Sequence, residues 1–393
     1  MSRYRLMPTP EQEVVLRRHC AHARYMWNLP VEQQSWWRPG RCAAPGYCTQ
    51  AAQLTQARAE YQWLAVGSQM VQQQALRDFA QAMANYFAGT HRKPTWRKEG
   101  RDEGFRIVAV KPGRIRRLSR KTGEIWIPKA DWVRFRWSRT VPEAKSYRVT
   151  RDRAGRWHIA FAAIPQPIPA PGTGEIVGID RGVVVSAALS TGELLHCPRL
   201  RHTEQSRLRR LQRKLARARK GSNRRQRVKV AIARLRAREF DRRKDWVEKT
   251  STDLARRFDI IRIEDLRVTG MTRSARGTID EPGRNIRQKT VLNRGILASG
   301  WGLLARRLED KAPGRVEKTD PAFTSQRCSK CGHVAASSRE SQALFRCTAC
   351  RYTGHADVNA ARNIAAGHAV TARGRSPLGG RMNREPQPML LLG

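Results

Sequence analysis

Four of the eight cysteines stand in two matched pairs, Cys328-Ser-Lys-Cys331 and Cys347-Thr-Ala-Cys350, with 15 residues between the pairs. Tetrahedral zinc needs four thiolates delivered by two tight turns, and two CxxC knuckles at this separation match the zinc-ribbon pattern. Disulfides and buried apolar cysteines are the competing readings, and in a reducing compartment neither explains two matched pairs. We therefore read Cys328, Cys331, Cys347 and Cys350 as ligands of a structural Zn²⁺ with no open position. Cys20, Cys42, Cys48 and Cys197 have no such spacing and read as ordinary structural cysteines.

Charge points to the partner. Lys and Arg number 77 against 33 Asp and Glu, a net charge of +44. An excess that large opposes compaction unless a polyanion neutralises it. Arg dominates, and its planar fork suits phosphate. Hydrophobic residues make up 40% of the 393 residues, enough for sizeable cores in two or three domains. No stretch approaches the roughly 18 apolar residues of a membrane span, and the start MSRYRLMPTPEQE has no apolar signal segment. The expectation is a cytoplasmic, nucleoid-associated protein that binds nucleic acid and no membrane.

Periodicity divides the chain. "MSRYRLMPTP" reads as a short strand, and "EQEVVLRRHCAHARYMWNL" as a helix with Val14, Val15, Arg18 and Cys20 near one stripe. "TQAAQLTQARAEY" and "SQMVQQQALRDFAQAMANYFAG" read as further amphipathic helices, the second closed by Gly89. From Phe105 to Ile164 short apolar runs alternate with Gly and Pro, and Asp152 to Gly155 signals a hairpin. "PQPIPAPGTG" is a linker by composition. Residues 201–245 hold 19 Lys/Arg against 4 Asp/Glu, with Leu208, Leu211, Leu215, Val228, Ile232 and Leu235 at helical spacing about "KGSN". This predicts a basic helical hairpin with a narrow seam, its cations turned to phosphate because four acids cannot pair nineteen bases. "MTRSARGTIDEPGRNIRQK" reads as a mobile loop, "NRGILASGWGLLARRLEDKA" as one helix, and the tail beyond Gly374 as unstructured.

Three acids occupy positions of one kind. Asp180 closes the apolar strand "IVGI", Glu264 closes "IIRI", and Asp357 opens the helix "VNAARNIAA". Two-metal phosphodiester hydrolysis needs carboxylates converging on hard, oxygen-seeking ions such as Mg²⁺. Taken singly, each acid fits a strand end or a helix cap as well as a ligand.

Together, "VGIDRG", "IIRIEDL" and "TSQRCSKCGHV…FRCTACRYTGHADVNAARNI" resemble the three RuvC-like nuclease motifs and embedded zinc ribbon of the TnpB family, transposon-encoded RNA-guided DNA endonucleases. Miniature type V CRISPR effectors share the pattern. "YRLMPTPEQE" is similar to the family's wedge strand, and "WLAVGSQMVQQQALRDFAQAMANYF…PTWRKEG…FRI" to its recognition helices and return. The resemblance implies an α/β RuvC/RNase H-like nuclease with an embedded zinc ribbon, plus an N-terminal small β-barrel (wedge) domain carrying an inserted helical recognition domain.

The implied boundaries are 1–10 wedge strand, 11–103 recognition helices, 104–165 wedge β-domain, 166–174 linker and 175–319 nuclease with the hairpin 201–245. The ribbon follows at 320–355, the third nuclease motif and its helix at 356–373, and a disordered tail at 374–393. By the same match Asp180, Glu264 and Asp357 are a catalytic triad holding two Mg²⁺ ions. Arg181 departs from the aliphatic residue frequent after the first acid, without displacing the carboxylate.

The implied partners are a structured guide RNA, target double-stranded DNA opened beside a short adjacent motif, and the displaced single strand. Neither a monomer nor a dimer follows from the match. The alternative is an RNA-guided DNA-binding repressor without cleavage; loss of triad acids or ribbon cysteines would mark it, and all seven are present. Candidate nucleic-acid contacts are Gln69, Gln73 and Gln74 for the motif, where a polar surface face is the equal reading. Arg209, Arg213, Arg217 and Arg224 are candidates for phosphate, and Trp36, Trp37 and Trp96 for base stacking, Trp36 and Trp37 fitting a core equally.

Overall fold

The computed structural model describes residues 2–38, 40, 43–101, 103–163, 166–278 and 280–367. Cys42 and the expected tail at 374–393 lie outside the described residues. The chain groups into two units, 1–164 with 208–235, and 165–207 with 236–393. No described helix is long and apolar enough to cross a membrane.

In the first unit β1 (Ser2–Met7) runs into α1 (Pro10–Ser35) through a capping box. The Gln12 N–H donates to the Thr9 hydroxyl and the Thr9 N–H donates to Gln12 Oε1, while Pro10 occupies the first turn, where its missing donor costs nothing. α1 buries Leu16, His19, Cys20, Ala23 and Met26, and Val14 stands 58% exposed. The stripe expected through Val14 and Arg18 is thus rotated; the buried face includes two histidines that an apolar count passes over. Next come α2 (Tyr47–Glu60), α3 (Gln62–Ala65) and α4 (Gln69–Phe87), with α4 packed on α1.

The chain then returns to strands β2 (Gly104–Val108), β3 (Ile115–Arg117), β4 (Thr122–Ile127), β5 (Asp131–Arg136), β6 (Ser146–Arg151) and β7 (Trp157–Phe161). The strands form one antiparallel sheet in the order β2-β6-β7-β1-β5-β4-β3. It curls strongly, since the Tyr147 hydroxyl on β6 donates to the Trp126 carbonyl on β4, three strands away from its own pairing partner. Tyr4, Phe135, Phe161 and Tyr147 fill the inside edge-to-face. The expected hairpin at Asp152 is there, its carboxylate accepting the N–H groups of Ala154 and Arg156.

The second unit is built on β8 (Ile176–Asp180), β9 (Ala187–Leu189) and β10 (Leu194–Leu195). The hairpin helices α5 (His202–Arg217) and α6 (Asn223–Arg257) follow, then β11 (Ile260–Glu264) and α7 (Val268–Met271). α8 (Ile286–Ser299), α9 (Trp301–Lys311) and β12 (Val316–Thr319) complete the frame. The sheet order is β10-β9-β8-β11-β12, with β8, β11 and β12 parallel.

Where one helix was expected over "NRGILASGWGLLARRLEDKA", Gly300 at φ 75° separates α8 from α9. Only glycine takes that left-handed turn without strain. The hairpin forms as expected, clasped by Arg225 donating to the Leu215 and Ala218 carbonyls and by Arg242 on Glu204. Its residues 208–235 group with the first unit, not with the five-stranded sheet as expected. A two-stranded ribbon, β13 (Leu344–Arg346) and β14 (Thr353–His355), leads directly into α10 (Ala356–Ala365).

Candidate active site and metal centre

β8 and β11 pair in parallel register, Ile179 opposite Ile263, so the next residues, Asp180 and Glu264, end adjacent strands side by side. Neighbouring strands lie about 4.8 Å apart. α10 packs across β8, and its approach depends on Gly178: a Cβ there would lie 2.1 Å from the Ala361 carbonyl oxygen and 2.3 Å from the Ala365 nitrogen. This close seat brings Asp357, in the first turn of α10, to the loop after β8, where Asp357 Oδ2 lies 3.9 Å from a Cβ built on Gly182. Three acids distant in sequence thus share one end of the sheet.

Asp357 does not cap its own helix. His355 does, Nδ1 accepting the Asp357 N–H at 3.2 Å. The Asp357 carboxylate is ion-paired to Arg339 at 2.9 Å. Glu264 accepts the Thr324 hydroxyl at 2.9 Å, and its main-chain carbonyl accepts the buried Arg181 guanidinium. Glu264 and Asp357 are both buried and Asp180 half-buried. Hard carboxylate oxygens of this kind suit Mg²⁺ or Mn²⁺ rather than softer metals. Among the described residues, however, only the cysteine quartet brings three or more donor atoms within 4.8 Å of one another; the acids share one sheet end, with Arg339 on the Asp357 carboxylate and Arg181 on the Glu264 main chain. Arg339 is a site residue that sequence reasoning missed, and no spacing signal marks it.

Cys328 and Cys350 place their sulfurs 3.7 Å apart, and Cys331 and Cys347 theirs 3.6 Å apart. Four thiolates about 2.3 Å from a tetrahedral zinc would stand about 3.8 Å from one another, so the quartet fits that ion. The four thiols share their protons unequally: the Cys350 N–H beside Cys347 Sγ draws Cys347 down to about 6, while burial and the neighbouring sulfurs push Cys350 up to about 12 and burial raises Cys328. Of the other cysteines, Cys20 and Cys197 are buried, whereas Cys48 is exposed on α2. Two buried asparagines tie the ribbon to α10. Asn359 accepts the Ser329 N–H and donates to the Arg327 carbonyl, and Asn363 donates to the carbonyls of Thr324 and Arg327.

In the first unit Gln69 is exposed and Gln73 half-buried on α4. Gln74 is buried and its amide donates to Asp78 at 2.7 Å, which removes it as a base reader. Arg209, Arg213, Arg217 and Arg224 are all exposed, as are Trp36, Trp37 and Trp96. Trp96 has a rigid mount. Asn28 on α1 exchanges two hydrogen bonds with the Arg97 main chain, and Trp27 donates to the Thr95 carbonyl and stacks under the Arg97 guanidinium at 3.6 Å. An open cleft beside it is lined by Arg92, Lys93, Arg101 and Arg148.

A family model described as a probable transposase matches residues 146–275, and one described as a Cas12f1-like TNB domain matches 301–364. Over 396 residues the sequence is 36% identical to the "Putative RNA-guided DNA endonuclease InsQ" of Escherichia coli (strain K12), covering 99% of this chain and 97% of that one. The chain belongs to the TnpB family. A second relative, from Streptomyces pristinaespiralis and described likewise as an RNA-guided DNA endonuclease, is 33% identical over 95% of this chain and 90% of its own. The solved Cas12f1–sgRNA–target DNA complex superposes at TM-score 0.53 with 14% identity, covering 91% of this TnpB-family chain and 83% of that chain, which shows the fold alone. A third model, described as a helix-turn-helix domain, matches residues 2–41. The described residues of that segment in this TnpB-family chain hold a strand, Ser2–Met7, and one 26-residue helix, Pro10–Ser35.

Proposed function

We propose that this chain is an RNA-guided DNA endonuclease whose hydrolytic site is formed by Asp180, Glu264 and Asp357. The observation that carries the reading is the meeting of these acids at one end of the β8/β11 pair, with α10 seated on the side-chain-free Gly178. Divalent metal bound there would activate water and neutralise charge on the scissile phosphate. The protein's own part is orientation. Gly178 sets the depth of α10, His355 takes the helix cap so that the Asp357 side chain is left for the site, and Thr324 fixes the Glu264 carboxylate. Arg339 sets a guanidinium beside Asp357, where charge on a phosphate would be met by a cation.

The cysteine quartet is a structural zinc site, since four protein thiolates leave no position for water. The curled seven-stranded sheet acts as the wedge and α1–α4 as the recognition helices. Exposed arginines of the hairpin and the cationic cleft beside Trp96 take guide RNA and target DNA, phosphate to guanidinium and base to indole. The test is cleavage by the guide-loaded protein with Asp180→Ala, Glu264→Ala and Asp357→Ala. Each should abolish strand scission while target binding stays within a few-fold of the parent. Full cleavage by any one variant removes that acid from the site.

A further inference from the structure

Arg181 follows one proposed metal ligand, Asp180, in sequence and donates to the main-chain carbonyl of another, Glu264. Its side chain is 5% exposed, one terminal nitrogen donates to the Glu264 carbonyl, and its Nε is buried with no hydrogen-bond partner. A buried, incompletely satisfied guanidinium is costly, and mere strand pinning needs no charge. Burial lowers this guanidinium from its usual range, and the carboxylates of Glu264, Asp180, Asp265 and Glu309 act against that. The cluster has a second cation, Arg339 on Asp357. Two arginines thus stand among the three acids and offset part of their charge, and Arg181, unlike the half-exposed Arg339, is anchored on the main chain of a strand.

Resting on the metal-site reading above, we propose that Arg181 is a built-in counter-cation that holds the metal-free carboxylates together and sets the Mg²⁺ concentration at which the site fills. An arriving divalent ion must share the acids with a fixed positive charge. A unit charge a few ångström away in a partly wet site changes ion affinity by about tenfold or more. The metal-free protein gains cohesion from Arg181, and the price is a raised metal threshold. Arg181 is a positioning residue in this scheme, acting on Glu264 and Asp180 and not on the phosphate.

The test compares the full-length parent with Arg181→Gln, which keeps an N–H donor and loses the charge, and Arg181→Lys, which keeps the charge. Thermal unfolding of the guide-free protein is followed across a Mg²⁺ titration in buffer without chelator, so that the cysteine quartet is left intact. Arg181→Gln should unfold at lower temperature than the parent without Mg²⁺, yet reach half of its Mg²⁺-dependent stabilisation at about one-tenth of the parent concentration. Arg181→Lys should keep the parent midpoint within about twofold, as the charge is retained. A Gln midpoint equal to or above the parent's overturns the inference, as does a Lys variant that behaves like Gln. If Arg181→Gln fails to fold, the uncharged Arg181→Met is measured in its place, and the same two outcomes decide. Asp180→Ala runs alongside: undiminished Mg²⁺ stabilisation in that variant overturns the metal-site reading itself, a result distinct from either Arg181 outcome.

Discussion

Gly178→Ala tests whether α10 must sit as deep as it does. The added Cβ would meet the Ala361 carbonyl at 2.1 Å and the Ala365 nitrogen at 2.3 Å, against an ordinary contact of about 3.5 Å. Both neighbours are main-chain atoms of a helix and have no rotamer to escape into, so α10 or β8 must retreat by more than about 1 Å. Overpacking of this kind costs about 1–3 kcal/mol of stability. The larger effect is on cleavage. Asp357 rides on α10 and Asp180 on β8, so the retreat separates them, and a 1 Å misplacement of reacting groups costs about 100-fold in rate. Guide-loaded parent and variant are compared for plasmid cleavage at saturating target, with target affinity and thermal midpoint measured on the same preparations. The expected result is a cleavage rate down about 100-fold, affinity within about threefold and a modestly lowered midpoint. Cleavage within about threefold of the parent in a folded protein would refute the proposed seating of Asp357.

The protein purified without chelator should carry about one equivalent of zinc, and Cys347→Ser should lower both zinc content and thermal stability; elemental analysis showing less than about half an equivalent counts against the site. Replacing Arg209, Arg213, Arg217 and Arg224 together with Gln should weaken all guides alike and reduce the slope of log affinity against log salt by a few units, read by filter binding across salt. An unchanged slope makes those arginines a solvated face. His19 is held down to about 4, chiefly by burial, with its Nε2 against the Pro128 carbonyl. Its folded pKa is below the unfolded value, so stability is full above about pH 6.5 and falls as pH drops toward 4. Denaturant unfolding should show about 2–3 kcal/mol lost from the first unit between pH 7 and 4.5, a loss His19→Gln should largely remove.

Much of this was legible because the signals were local. Two CxxC turns announce their own geometry, and an apolar strand that stops at an acid announces an edge. A strand–helix–strand change of texture sets off residues 11–103, and α1–α4 do lie between β1 and β2. What stayed hidden depended on contacts distant in sequence. The buried face of α1 was misplaced because His19 and His22 are core residues there, each with one ring nitrogen bonded to a partner far along the chain. Gln74 looked like its neighbour Gln73 until Asp78 took its amide. Arg339 is one arginine among many, and only the fold sets it on Asp357. Gly178 could have been found, since a glycine inside an apolar strand often marks the close approach of another backbone.

Asn359 and Asn363 fasten α10 to the turn before the first knuckle, and β14 enters α10 without a linker. The last acid is therefore delivered by a segment that takes shape only after both knuckles have left the ribosome. A nascent chain displaying β8 and β11 already carries Asp180 and Glu264, but no helix has yet closed over Gly178. On the proposed reading, zinc capture by the cysteine quartet would be a maturation step, since the ribbon it closes is what carries α10 and Asp357 into place.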